Sequence, residues 1–382
     1  GGTISGGVTG IKFAARGTDI SISNSGLIYG GYAALHLSNS YQLSLLANSS
    51  EGTLAGDSYG VYVDGASHMN GITNAGLISG SIAGLGLGGN SSIDQVIFNA
   101  NGGTILGGQY GIFAASDSVM NAGIRNSGLI TGSIAGIASL SRAYIHGGII
   151  NDLTGTISGG EYGILASNNG NIPDGITNAG LISGSNAGIS ARNYGTLMGG
   201  LTNSGLILSS NTIGSSAIAF NSNSTLVGDL INSAAGVISG FEGVKITNTS
   251  TILGNINNSG LITGMGDGSG SSYGHGIQLY SSGLLTGDII NNASGSIMGV
   301  GTGISIYSRS TLTGSINNSG LISGGLGDQQ TGIIIGDNST LAGNILNNAG
   351  ATISGVGTGI RLSSNSTILG TINNTGTIAG NT

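Results

Sequence analysis

The residues that could do chemistry are carboxylates, histidines and hydroxyls, and their spacing sets few of them together. The only glutamates are Glu51, Glu161 and Glu242. The aspartates (Asp19, Asp57, Asp64, Asp94, Asp117, Asp152, Asp174, Asp229, Asp267, Asp288, Asp328 and Asp337) are dispersed along the whole chain. Glycoside hydrolysis needs two carboxyls about 5 to 10 Å apart. Asp57 and Glu161 fall at the same kind of turn but four repeats apart, roughly 19 Å if each repeat adds one strand spacing. The histidines, His36, His68, His146 and His275, show no H-E-x-x-H or similar ligand spacing. Serine is abundant, yet no G-x-S-x-G elbow in a strand-to-helix context supports a nucleophile. Two glycine-rich stretches, Gly264-Met-Gly-Asp-Gly-Ser-Gly270 and Gly324-Gly-Leu-Gly-Asp328, resemble calcium-binding glycine repeats without completing that pattern or recurring in tandem. They fall where the repeat lengthens and are expected to bulge as loops, the one at 265–275 being the best placed for a local contact. The expectation is therefore a protein that is not an enzyme, with no cofactor and no metal; a polysaccharide-acting enzyme is the third reading.

Composition narrows the partners. Only 8 Lys and Arg are spread over 382 residues and the net charge is −7, so no basic patch exists for nucleic acid or an anionic membrane surface. There is no cysteine, hence no disulfide framework or thiolate site. No apolar run nears the roughly 18 residues of a membrane helix. The chain starts at Gly1 without a signal peptide and reads as a processed product or an excised segment. With 78 glycines and one proline, Pro173, the chain would read as disordered were it not periodic; at 38% hydrophobic and 6% charged it has the opposite of a disordered composition.

The elements that position these residues follow from the period. The unit N-S/A-G-L-I-x-G occurs at Asn24, Asn74, Asn126, Asn178, Asn203, Asn258 and Asn318, with looser copies at Gly2, Gly52, Gly103, Gly155, Gly236 and Gly376. Successive copies lie mostly 24 to 27 residues apart. Two further segments recur: G-I/V with an alternating stretch, as at Gly60, Gly111, Gly163, Gly303 and Gly359, and S-T-L/I-x-G-x-I-x-N, as at Ser250, Ser310, Ser339 and Ser366. Each alternates apolar with small or polar residues, the period of a strand, while helical stripes are absent. Three short strands per period describe one turn of a triangular coil that buries its apolar face only by stacking on its neighbours. The sequence predicts an all-β, right-handed parallel β-helix (β-solenoid) of about fifteen coils of ~25 residues, a rod of roughly 70 Å, as a single continuous solenoid over 1–382 with no separate cap, barrel or protease domain.

Stacking predicts ladders. Ile28, Ile78, Ile130, Ile182, Ile207, Ile262 and Ile322 are expected in one interior column. Asn24, Asn74, Asn126, Asn178, Asn203, Asn258, Asn318, Asn348 and Asn374 are expected in one turn column, amide bonded to amide as in cross-β stacks, with Asn-x-Gly serving the corner. Tyr59, Tyr110 and Tyr162 recur at spacings of 51 and 52, a double period whose rings either pack at a corner or form an aromatic strip able to meet sugars or another rod.

The recurrent N-S-G-L-I-x-G, G-I and S-T-L-x-G-x-I-x-N segments resemble the β-helix repeats of autotransporter (type V secretion) passenger domains, over essentially the whole chain. The resemblance implies secretion and an extracellular or bacterial outer-surface location; the family's C-terminal membrane barrel and its protease module are missing from this sequence. The first and last coils both show full repeats at the same phase, without polar caps. Thr3, Ile4 and Ser5 at one end and Thr377, Ile378 and Ala379 at the other are therefore expected to pair between copies, head to tail, into an extracellular filament. The alternative is a monomeric passenger acting as a surface adhesin or self-associating biofilm protein. Partners are expected to be other copies of the chain and, further, a cell-surface or matrix polysaccharide, with no nucleic acid and no membrane span in this segment.

Overall fold

A computed structural model describes residues 2–14, 20–210, 213–266, 274–325 and 330–380. It is all-β, with no helix among the described residues, and its parallel sheets stack as a β-solenoid of about 14 turns. Two compact units emerge, Gly1–Gly184 with Gly195–Leu197, and Ser185–Tyr194 with Met198–Thr382.

Each unit repeats the same cross-section. The first sheet is made of the L/T-I-x-G strands, from Thr3–Gly6 to Leu181–Gly184 in the first unit and from Leu206–Ser209 to Thr377–Gly380 in the second. Alternation sends isoleucine inward and the polar residue outward, so a fixed register keeps every apolar side chain in the core. In the first unit Ile28 pairs Leu54, Leu54 pairs Ile78, and Ile105, Ile130, Ile157 and Ile182 continue the column. In the second, Ile207, Ile238, Ile262, Ile297, Ile322, Ile353 and Ile378 do the same. From Ile28 to Ile353 these column residues are buried, most of them completely.

The second sheet carries the G-I/V strands, such as Tyr59–Val63 and Tyr110–Ala114. After it the chain turns through two successive residues at positive φ, for example Ser116 and Asp117 (φ 55 and 61) or Asn168 and Asn169 (φ 54 and 62). Asn, Asp and Ser suit such positions because their short polar side chains bond locally in the left-handed region.

The third side differs from expectation. The S-T-L/I-x-G-x-I-x-N segment is not one strand but two short ones, as in Val119–Met120 followed by Ile124–Asn126. The break falls at glycine: Gly123 sits at φ 77 and Gly175 at φ 84, a backbone that ends regular pairing. From His68 onward each complete coil therefore has three sides but four strand segments, while the third sides of the first two coils are the single strands Ile20–Asn24 and Gln42–Asn48.

Candidate functional site

The second short strand of the third side ends on the asparagine column. In the first unit the Nδ2 of Asn24 donates to Oδ1 of Asn48 at 2.9 Å, Asn48 to Asn74, Asn74 to Asn99, Asn99 to Asn126, Asn126 to Asn151 and Asn151 to Asn178, all at 2.8–2.9 Å. In the second unit Asn203, Asn232, Asn258, Asn291, Asn318, Asn347 and Asn374 repeat the pattern. The same Nδ2 groups also reach corner carbonyls, as Asn126 does to Gly128 and Thr156. One expected member is corrected. Asn347, not Asn348, occupies the column; Asn348 points instead to Asn317 Oδ1 at 2.8 Å and Ser319 Oγ at 2.9 Å.

Sequence reasoning missed Asn48, Asn99, Asn151, Asn232 and Asn291 because two kinds of corner alternate. Asn24, Asn74 and Asn126 bond the carbonyl two residues on; Asn48, Asn99 and Asn151 bond the one four residues on. The longer corner closes a β-turn, as from Gly103 N to Ala100 O at 2.9 Å. Asn-x-Gly marks only the short corner. Asn348-Ala-Gly350 mimics it inside a long one, which displaced the assignment by a residue. The signal common to both corners is L/I-x-N, as in Ile97-Phe-Asn99 and Ile345-Leu-Asn347.

The terminal coils lie as follows. Strand Thr3–Gly6 pairs with Leu27–Gly30 along one edge, and Thr377–Gly380 with Thr352–Gly355. The opposite edge of each has no strand partner among the described residues. Thr3, Ile4, Ser5 and Thr377 are exposed, Ile4 by 47%, while Ile378 and Ala379 are half-buried.

The outward side of the second sheet in the first unit gathers aromatic residues. Tyr59 and Tyr62 stack with centroids 4.3 Å apart and planes at 15°. Tyr32 meets Tyr59 edge-on at 5.3 Å, His36 stacks on Tyr62 at 5.5 Å, and Phe113 lies 5.6 Å from Tyr110 and 6.3 Å from Tyr59. His36 Nε2 lies 3.1 Å from Asp64 Oδ1. Burial first, then Tyr59, Asp64 and Tyr32, push the Tyr62 phenol up to about 12, so it stays a neutral donor. Register explains the gathering. His36, Tyr62, Gly86 and Phe113 are successive partners in one column, and Ala33, Tyr59, Ala83 and Tyr110 in another. In the second column a small residue alternates with a ring; in the first, a Cβ on Gly86 would meet Phe113 ring atoms at 2.8 and 2.9 Å and the Tyr62 ring at 3.1 Å. Both rings therefore lean over that glycine. Tyr162, the third tyrosine of the double period, is buried.

Among the described residues the His68, Ser92 and Asp94 side chains come closest to a catalytic relay, in the wrong order for one. His68 Nδ1 lies 2.8 Å from Ser92 Oγ, and Ser92 donates to Asp94 Oδ1 at 2.6 Å. A Ser-His-Asp relay needs histidine in the middle to take the serine proton; here serine is in the middle and its proton is held by the acid. Arg142 grips Asp117 with two bonds of 2.8 Å, and Arg125 holds Asp152 at 2.9 Å, both on the surface. In the second unit Glu242 is buried and accepts the backbone N–H of His275 at 2.6 Å. Burial pushes its carboxyl up to about 7, against the opposing pull of Lys245 and that hydrogen bond. Burial, with Lys245 adding, draws the His275 imidazole down to about 4. Of the 265–275 loop, 267–273 lies outside the described residues, as do Asp19 and Asp328; Met265 is 44% exposed. Among the described residues no three His, Asp or Glu side chains come together as a metal would need.

No family model, no curated protein and no solved structure matches the chain.

Proposed function

We propose that this chain is an extracellular structural protein that assembles edge to edge through its first and last coils. The observation that carries this reading is the pair of open parallel edges bearing one repeated pattern. Thr3-Ile-Ser-Gly6 and Thr377-Ile-Ala-Gly380 each pair on one side only. The register of the first sheet sets Ile on Ile or Leu and, except at Ser209, Gly on Gly. The same register between copies sets Thr3 against Thr377, Ile4 against Ile378, Ser5 against Ala379 and Gly6 against Gly380. An unpaired strand edge with an exposed isoleucine is a template for another strand, and a heterologous contact that does not close propagates a fibre. The edges would equally accept flanking coils of the same repeat, so the reading concerns the chain as it stands.

An autotransporter-like route to the outer surface is part of this proposal and rests on the repeat resemblance. The second reading, a surface adhesin or self-associating biofilm protein, is favoured by the half-buried aromatic cluster around Tyr59 and Tyr62. Purified chain at micromolar concentration, viewed by electron microscopy, tests the first reading. Fibres are expected, and Thr3→Lys with Ser5→Lys should abolish them by placing charge on the docking edge. Discrete particles for the unaltered chain, or fibres indifferent to the lysines, would contradict it.

A further inference from the structure

We infer that the aromatic cluster of the first unit is a binding platform for a neutral polysaccharide. This does not depend on the assembly proposal.

Three observations on different residues converge. The first is the ring arrangement. Tyr59 with Tyr62, and Tyr110 with Phe113, form two ring pairs on coils two apart, joined across Gly86. All four are half-buried, so each ring keeps open surface. The apolar C–H face of a pyranose stacks on such rings much as one aromatic side chain packs on another. Phe113 lies 6.3 Å from Tyr59 and leans with Tyr62 over Gly86, so the two pairs close into one continuous aromatic surface running along the coil stack.

The second is a shallow trough on the same three coils. It is lined by Gly56, Asp57, Gly80, Ser81, Gly107 and Gly108, among others, with a volume of about 620 Å³. Its glycines stand where a Cβ would strike the neighbouring backbone, so they let the coils close up; the exposed Asp57 carboxylate, which accepts the Tyr29 hydroxyl at 2.6 Å, is the trough's charged acceptor. These lining residues lead directly into Tyr59, Ala83 and Tyr110, so trough and rings occupy consecutive stretches of each coil.

The third is charge. Beside the rings stand Asp64, paired with His36, and the tyrosine phenols; Tyr32, Tyr59 and Tyr62 are all held above their usual range, chiefly by burial. They present neutral hydroxyl donors and one carboxylate acceptor, the complement of uncharged sugar hydroxyls. In the stretch of this column around the rings, from Lys12 through His36, Tyr62, Gly86 and Phe113 to Ala138, Lys12 is the one lysine or arginine, so an anionic glycan finds no matching row of cations there.

The test is titration of the intact chain with cellohexaose and with chitohexaose, read by tyrosine fluorescence; the chain has 12 tyrosines and no tryptophan. Saturable binding of at least one hexasaccharide is expected. Tyr59→Ala and Phe113→Ala should weaken it about tenfold each, the size of a lost stacking contact. Gly86→Val should do the same with unchanged circular dichroism, because its new side chain displaces rings rather than backbone. Tyr144→Ala, an exposed tyrosine on the third side stacked on His146, should bind as the unaltered chain does. Should either alanine variant unfold, Phe113→Leu and Gly86→Val carry the comparison. Failure of both sugars to bind the unaltered chain, or equal binding by the platform variants, would overturn the inference.

Discussion

At the scale of single residues, the amide column is the feature most exposed to experiment. Asn126 donates to Asn151 and to two carbonyls and accepts from Asn99, all in the interior. Asn126→Ala strips partners from both neighbours at once, and unpaired buried amides are costly. A loss of about 2–3 kcal/mol is expected, seen as a lower denaturation midpoint, against less than about 0.5 kcal/mol for the exposed turn residue Asn101→Ala. The buried acid gives a pH signature of defined sign. Because the folded Glu242 carboxyl is raised to about 7, its contribution is present below its unfolded value near 4.5 and is lost as pH rises towards 7. His275, lowered to about 4, acts oppositely: its contribution is present above about 6.5 and is lost as pH falls through 4. Glu242→Gln should therefore raise the melting temperature above pH 7 and give no gain below about pH 4.5, measured by calorimetry across that range. This pair was not legible in the sequence, where Glu242 and His275 are 33 residues apart and only the register of two coils brings them together.

At the scale of elements, the strand signals read well and the corners read poorly. Period-two alternation located the first and second sheets because an inward isoleucine repeats at one phase in every coil. The third side was misread as unbroken because a glycine within a strand pattern signals equally a bulge or a close approach. Its left-handed backbone shows only in the coordinates. Gly123→Ala puts a Cβ at φ 77 and against the carbonyl of Gly148, and should cost more than about 1 kcal/mol, checked by the shift in denaturation midpoint. The alternation of short and long corners was hidden for a related reason: the long corners share no residue type between the asparagine and the glycine. Asn178 and Asn203 both open short Asn-x-Gly corners, so the alternation changes phase where the two compact units adjoin in the chain.

At the scale of the whole molecule, the repeat predicted a solenoid, and the chain folds as one of about 14 turns. Against the expected fifteen or so coils, the described residues form 15 first-sheet strands and 14 second-sheet strands, in a solenoid of about 14 turns. What the repeat could not reveal is which outward residues gather, since outward positions escape the packing that makes inward ones regular. The aromatic cluster is the example: Tyr59 and Tyr110 stand out by spacing, but Tyr32 meets Tyr59 from the coil before, and Tyr62 and Phe113 meet over Gly86, only through register.

The central claim, that copies pair first coil to last in the register of the first sheet, is tested most directly by cross-linking. The chain has no cysteine, so Ser5→Cys with Ala379→Cys introduces the only thiols. Paired residues on adjacent parallel strands lie within the roughly 4.4–6.8 Å Cα separation that a disulfide spans. Under mild oxidation the double variant should give a ladder of reducible multimers on a denaturing gel, and each single variant should stop at dimers or fewer. A double variant that remains monomeric, or multimers no longer than those of the single variants, would contradict the account.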